Sequence, residues 1–168
     1  MKKFLKILLI LAIIGISIAL VFIYKGYNMY KSAIEGMPLS EKVAEIKSKE
    51  NYTEFSELPK MYVNAVISVE DKRFYKHNGI DIIAICRAVI NDIKAMSYVE
   101  GGSTITQQLA KNMYFTQEKK IERKIAEVFM SWQIEGNYSK EDIFELYVNS
   151  IYFGDGYYTV KDACKRIF

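Results

Sequence analysis

The spacing of apolar residues predicts a mainly α-helical protein, a compact bundle preceded by one N-terminal membrane-spanning helix. Three observations carry that expectation. Ile7 to Tyr24 is an 18-residue stretch without a charge, and it follows Lys2, Lys3 and Lys6. Downstream, apolar residues recur at the three- and four-residue intervals of amphipathic helices. Strand-like alternation is scarce, which argues against a sheet protein. At 168 residues and 51% hydrophobic content the chain has room for an anchor and one domain with a real core.

At about 1.5 Å per residue the first stretch spans roughly 27 Å, close to the hydrocarbon thickness of a bilayer. The clustered lysines favour a cytoplasmic N-terminus and put everything after about residue 25 on the outer face. Ser17-Ile18-Ala19 loosely fits the cleavage site of a signal peptide, but Leu20-Val21-Phe22-Ile23 continues the run without a polar break. Both readings export the domain. The organisation is then an anchor over 1–24, a juxtamembrane connector with some helix over 25–55, and a globular domain over 56–168. The connector is charged and broken at Gly36-Met37-Pro38.

The first domain helix carries Leu58, Met61, Tyr62, Ala65, Val66 and Val69 on its apolar side, with Ser56 a candidate cap and Pro59 in the first turn. It delivers Glu70 and Asp71 at its end. The second starts at an Asp81 cap, with Ile82, Ile83, Cys86, Val89, Ile90 and Ile93 apolar and Arg87 near the boundary. The third starts at Ser103 and points Ile105 and Leu109 into the core. The fourth, over about 116–135, buries Ile121, Ile125, Val128 and Trp132 while Lys119, Arg123 and Glu127 line up four apart on another face. The fifth is capped by Ser139, with Asp142 three residues later as in a capping box, and ends near Asn149 or Gly154.

Net charge is +3 with both signs interleaved, so the dense basic tract of a nucleic-acid binder is absent and nucleic acid is not an expected partner. Cys86 and Cys164 have no metal-ligand spacing and do not make a disulfide scaffold. The richest run is Glu100 to Asn112, Glu-Gly-Gly-Ser-Thr-Ile-Thr-Gln-Gln-Leu-Ala-Lys-Asn. Gly101 and Gly102 let the chain approach closely, Ser103 can cap the helix, and the free N–H groups of its first turn favour an anion. Lys111 shares a face with Gln107 and Gln108. Ordinary loop-and-cap chemistry accounts for the same residues; two adjacent amides point in different directions, so one of them meets a cleft.

Residues 70–79, the Gly-Gly-Ser helix start and Arg123-Lys124-Ile125-Ala126-Glu127 supply polar groups that an apolar bundle does not need. They propose two carboxylates, Glu70 and Glu127, around a cationic, amide-lined cleft. Glycosidic chemistry uses paired carboxyls because one group moves a proton while another charge stabilises the transition state. Cations answer a different need, neutralising phosphate oxygens. Bland counterparts stand beside each assignment. Glu127 with Arg123 is also the pattern of a surface ion pair worth about 0.3–0.5 kcal/mol. Glu70 can be a solvated helix end, His77 a hydrogen-bonded structural residue, and Trp132 belongs to the core.

Four successive segments resemble the motifs of the peptidoglycan glycosyltransferases, the family that includes the glycosyltransferase domains of class A penicillin-binding proteins and the monofunctional transglycosylases. They are Glu70-Asp71-x-x-Phe74-x-x-His77-x-Gly79, Gly102-Ser103-Thr104-Ile105-Thr106-Gln107-Gln108-Leu109-x-Lys111-Asn112, Arg123-Lys124-x-x-Glu127 and Tyr147-x-Asn149-x-Ile151-x-Phe153-Gly154. The resemblance covers about residues 55–168. It implies a lysozyme-like helical domain on the outer leaflet that polymerises lipid II into β-1,4-linked glycan strands. It implies that Glu70 is the general base and Glu127 the second catalytic glutamate. Asp71, Phe74, His77, Arg87, Gly102, Ser103, Thr104, Gln107, Gln108, Lys111, Asn112, Lys119 and Arg123 match substrate-site positions.

No cofactor is required by the sequence, although some family members bind a divalent cation, Mg or Mn, beside the first glutamate and the pyrophosphate. The implied partners are lipid II, the nascent glycan strand and the membrane, with room for contacts to other cell-wall synthesis proteins. Two departures stand out. Lys119 replaces an arginine of some relatives and loses the bidentate fork. The family's later helices and fifth motif are expected beyond Phe168, which leaves open a fragment or a poorly active relative. A lysozyme-like cleaving enzyme and a non-enzymatic membrane-anchored wall-binding protein are the rival readings. The Lys111 and Arg123 cations speak against the first, because a neutral glycosidic substrate needs no pyrophosphate clamp.

Overall fold

In the computed structural model, residues 2–97, 101–116, 118 and 120–167 are described; Glu100 and Lys119 lie outside the described residues. Helix α1 (Lys2–Gly36) is one continuous helix. It therefore runs well past residue 24 and occupies the first third of the expected connector, because nothing breaks it before Gly36-Met37-Pro38. The apolar residues Phe4 to Val21 and Ile23 are exposed and Phe22 is partly so, whereas Tyr30, Ala33 and Ile34 pack against the core. Helix α2 (Leu39–Lys47) follows Pro38 and buries Leu39, Val43 and Ile46.

A 3₁₀ turn over Phe55–Glu57 leads into α3 (Lys60–Glu70). Ser56 lies inside that turn, so it is not the cap of α3; Pro59 holds the position before the helix, its fixed φ near −59° leading into the first turn. Val63 and Ile67 are buried while Met61 and Val69 face outward. A second 3₁₀ turn, Phe74–Lys76, precedes α4 (Ile82–Ala95), which is capped by Asp81 as expected. The apolar side of α4 is not a core face. Ala88 is its one buried residue, and Ile82, Ile83, Val89, Ile90 and Ile93 are each more than half exposed.

The core forms where α5 (Ile105–Tyr114), α6 (Ile121–Glu135) and α7 (Lys140–Val148) pack together. Phe74, Ile105, Leu109, Met130, Ile134, Ile143, Phe144 and Leu146 are fully buried there. The register of α6 differs from the sequence expectation. Ala126, Glu127, Met130, Ser131 and Ile134 face inward, while Ile121 and Trp132 are exposed. The physical reason is that α6 has two apolar faces and α1 takes the second: Phe129 meets Tyr27 at 5.3 Å, Tyr30 at 5.9 Å and Trp132 at 5.6 Å between ring centroids. Helix α8 (Val160–Ile167) follows a tight turn at Gly154-Asp155-Gly156, all three at positive φ. Among the described residues there is no strand, only an isolated bridge between Gly154 and Tyr157.

Asn149, fully buried at the end of α7, fastens the segment before α3. Its Oδ1 accepts from the Thr53 N–H at 2.9 Å, and its Nδ2 donates to the Thr53 and Glu145 carbonyls at 2.8 Å each. Asn149→Ala leaves both backbone groups of Thr53 without these partners, at a cost of roughly 1–3 kcal/mol for each group left unsatisfied. Thermal unfolding of the detergent-solubilised variant is expected several degrees below wild type; an unchanged Tm would remove this fastening role.

Candidate active site

The end of α3 presents two adjacent carboxylates with opposite fates. Glu70 is the last helical residue and is exposed, whereas Asp71 turns inward. The Asp71 carboxylate accepts from His77 Nε2 at 2.9 Å and from the Ile105 N–H at 3.0 Å, so it neutralises the N-terminus of α5. Its neighbour Glu70 accepts from Gln108 Nε2 at 2.8 Å through Oε2. Gln108 Oε1 in turn accepts from the Tyr147 hydroxyl at 3.3 Å. Burial, followed by the Glu70 charge, pushes the Tyr147 hydroxyl well above its usual range, so it remains a donor. Tyr147 and Gln108 thus orient one oxygen of Glu70, while Oε1 has no protein partner among the described residues.

Two cavities meet at this carboxylate. The larger, about 690 Å³, runs from Glu70, Gln108, Lys111 and Asn112 toward Lys42 of α2, Lys49 just beyond that helix, and Tyr152 and Tyr158. The smaller, about 430 Å³, is lined by Glu70, Asp71, Lys72, Arg73, Arg87, Gly101, Ser103 and Lys111 among others. Glu70, Gln108 and Lys111 line both and form the wall between them. On the floor of the smaller cavity Arg73 Nε donates to Asp81 at 2.9 Å, and Asp81 accepts the N–H groups of Ile83 and Ala84 at 2.9 and 3.1 Å. Burial pushes the Asp81 carboxyl up, but the Ala84 N–H, the Arg73 guanidinium and the Ile83 N–H outweigh it and hold the group below its usual range.

Several expected site residues are interior instead. Phe74 is fully buried in the core against Phe144. His77 is sealed beside Asp71. Thr104, not Ser103, is the cap of α5: its hydroxyl accepts from the Gln107 N–H and donates to the Gly79 carbonyl at 2.7 Å. Gly79 makes that contact possible at φ +86°, where a Cβ would come within 3.1 Å of Ser131. Gln107 completes the capping box by accepting from the Thr104 N–H and is 2% exposed, so Gln108 is the amide that meets the cavities. Gly102 approaches α4 rather than a ligand; a Cβ there would sit 3.1 Å from the Ile85 Cα.

The largest departure concerns Glu127. It is 1% exposed and lines neither of the two cavities that meet at Glu70, its oxygens being taken by Arg123 and by Lys124 Nζ, the latter at 2.7 Å. Lys124 also donates to Ser103 Oγ at 2.8 Å. The pair expected as a surface contact or a cleft carboxylate is therefore an ion triad around a buried carboxylate, with Lys124 partly exposed, that ties α6 to the Gly-Gly-Ser segment. A burial signal was present in the sequence: Ala126 and Met130 place Glu127 beside a core stripe. Lys42, Lys49, Tyr152 and Tyr158 were missed because they reach the cavity from elements distant in sequence. Among the described residues no three His, Cys, Asp or Glu side chains converge as a metal cage. Asp71 and Asp81, the carboxylates nearest Glu70 in the smaller cavity, are committed to the contacts described above.

A family model described as Transglycosylase matches residues 37–168. The chain belongs to the transglycosylase family. Penicillin-binding protein 1F of Bacillus subtilis is 50% identical over 113 residues, which is 67% of this chain and 16% of that protein. A monofunctional glycosyltransferase of Staphylococcus epidermidis is 44% identical over 129 residues, 75% of this chain and 48% of that protein. Another, from Staphylococcus haemolyticus, is 38% identical over 167 residues, 99% of this chain and 60% of that protein. This transglycosylase chain spans roughly half to three fifths of those monofunctional relatives and a far smaller share of the penicillin-binding protein.

Two outcomes are expected from the charges of this chain. Glu127→Gln leaves Arg123 and Lys124 without their carboxylate; breaking a buried pair costs roughly 3–5 kcal/mol, at the lower end here because Lys124 is partly exposed. Denaturant unfolding checks this, and a loss within experimental error contradicts the triad's role. Asp81 has a depressed folded pKa, so its stabilising contribution is present above its unfolded value of about 3.9 and is lost as pH falls through the folded value. Asp81→Asn keeps a capping side chain but removes the titration, and its stability is expected to vary less with pH below about 4 than that of wild type. Identical pH profiles would refute the assignment.

Proposed function

We propose that this chain carries a peptidoglycan glycosyltransferase domain that joins lipid-linked disaccharide units of the lipid II class into β-1,4-linked glycan. The observation that carries this reading is the placement of Glu70 on the wall shared by two cavities, beside Lys111 and with Lys72 and Arg87 in the smaller one. A transferase must hold two sugars with the reacting atoms between them. A hydrolase also holds a sugar on each side of the bond it cleaves, but its leaving group is a neutral sugar hydroxyl, which gains nothing from a cationic cavity.

In the reaction, the acceptor's 4-hydroxyl approaches Glu70, whose free oxygen takes the proton as the hydroxyl oxygen attacks the donor's anomeric carbon. The bond from that carbon to the diphosphate oxygen breaks on the opposite face, the electron pair leaves with the lipid diphosphate, and the configuration inverts. Lys111, with Arg87 and Lys72, offsets the charge that develops on the leaving diphosphate. Gln108 and Tyr147 keep Glu70 aimed. If a divalent cation binds beside Glu70, it supplies Lewis-acid stabilisation of the same diphosphate; ligands beyond Glu70 would come from the substrate.

Membrane attachment supports a lipid-linked substrate. The apolar part of α1 is long enough to cross a bilayer, and its lysine-flanked start favours a cytoplasmic N-terminus with the domain outside. The exposed isoleucines of α4 add a second apolar face. Polymerisation of labelled lipid II by the detergent-solubilised chain tests the reading, with products separated by length. Glu70→Gln is expected to lower turnover about 100- to 10,000-fold, the usual contribution of a general base. Wild-type-like turnover in that variant would sink the assignment, and absence of product from a folded wild-type chain would leave a binding role.

A further inference from the structure

The helix that crosses the membrane does not end there, and where it continues it meets α6. Lys25 is the first charge after the apolar span and lies 4.0 Å from Glu122. At the next residue the two helices all but touch: a Cβ on Gly26 would lie 2.6 Å from the Ile125 side chain and 2.9 Å from the Glu122 carbonyl. One turn on, Tyr27 and Tyr30 pack around Phe129, and the Tyr30 hydroxyl donates to Gln133 Oε1 at 2.7 Å. As α1 proceeds from Lys25 to Tyr30, its partners on α6 advance from Glu122 to Gln133, so the two helices run parallel from the end of the apolar span onward.

That register fixes heights. Glu122 is level with the first residues beyond the span, and at about 1.5 Å per residue Arg123 and Lys124 stand only about 2–3 Å above it and Glu127 about 8 Å above it. The Arg123–Lys124–Glu127 triad, which holds Ser103 of the Gly-Gly-Ser segment, therefore sits in the headgroup layer, at the depth of a diphosphate on a lipid. We propose that the Lys25–Tyr30 seam is a depth gauge: by locking α1 to α6 it sets the height of the Glu70 site above the hydrocarbon, and residues Gly26 and Tyr30 are positioning residues for a substrate that cannot leave the bilayer. The inference rests on the glycosyltransferase reading above. A connector of flexible residues would have tethered the domain equally well but left its height undefined; the unbroken helix to Gly36 and the glycine-tight crossing do the opposite.

The test inserts Gly-Gly-Ser-Gly between Tyr24 and Lys25, which keeps both the span and the seam but uncouples them. Full-length chains in liposomes are supplied either with lipid II in the same bilayer or with a water-soluble, short-chain lipid II analogue. The insertion is expected to lower polymerisation of the bilayer substrate about tenfold or more, since small misplacements of reacting groups carry costs of that order, and to leave the soluble analogue unaffected. Gly26→Val, which pushes the helices apart, is expected to shift the ratio of the two rates in the same direction. Wild-type rates on both substrates overturn the inference, as does an equal loss on both, because the insertion would then be acting through the fold. A wild-type chain that polymerises neither substrate overturns the glycosyltransferase reading and this inference with it.

Discussion

The buried carboxylate of Asp71 is the constraint from which the geometry of the site follows. A charge taken out of water is tolerated only where donors replace its hydration, and Asp71 finds them in His77 and in the first N–H of α5. Those two contacts draw together the end of α3, the turn that carries Phe74 and His77, and the start of the helix that carries Gln108 and Lys111. Glu70 precedes Asp71 by one residue at a helix end, so once Asp71 is drawn inward Glu70 is left facing the solvent-filled side. The pair illustrates how one backbone step separates a carboxylate committed to the fold from one presented to the cavities.

The cations divide in a similar way. Arg73 is held by Asp81, and Arg123 and Lys124 are held by Glu127, so each of these charges already has a protein carboxylate as partner. Lys111, by contrast, lines both cavities beside Glu70. The division does not follow residue type: Lys124 is among the held cations, and Arg87 lines the smaller cavity with Lys111. The site therefore combines a stiff charged frame with a small set of groups positioned to meet substrate.

The helical class, the apolar first helix, the Asp81 and Ser139 caps and two of the segments that line the cavities, at Glu70 and at Gln108-Lys111, were legible in the sequence. The failures have physical causes. The periodicity of α4 reads as a core face because sequence patterns record that a surface is apolar and not what covers it. In α6 Ile125 and Phe129 face α1 and Val128 faces α4, while the domain core takes Ala126, Met130 and Ile134. Gln107 and Gln108 are chemically identical in sequence; only the capping geometry at Thr104 decides which amide is consumed by the backbone and which reaches Glu70. Glu127 was misplaced because an i, i+4 pair with Arg123 looks the same on a surface as in an interior.

The exposed apolar residues of α4 complete the argument about surroundings. Ile82, Ile83, Val89, Ile90 and Ile93 lie on a helix whose one buried residue is Ala88, and Met96 beyond its end is 95% exposed. Leaving side chains of this size in water forgoes roughly 1.5–3 kcal/mol each relative to burial, and grouped on one helix they mark an interaction surface. Arg87 sits on that same helix and lines the smaller cavity. The helix thus offers apolar side chains on its outer surface and a cation to the cavity within, an amphipathic arrangement of the kind found at the boundary between hydrocarbon and headgroups.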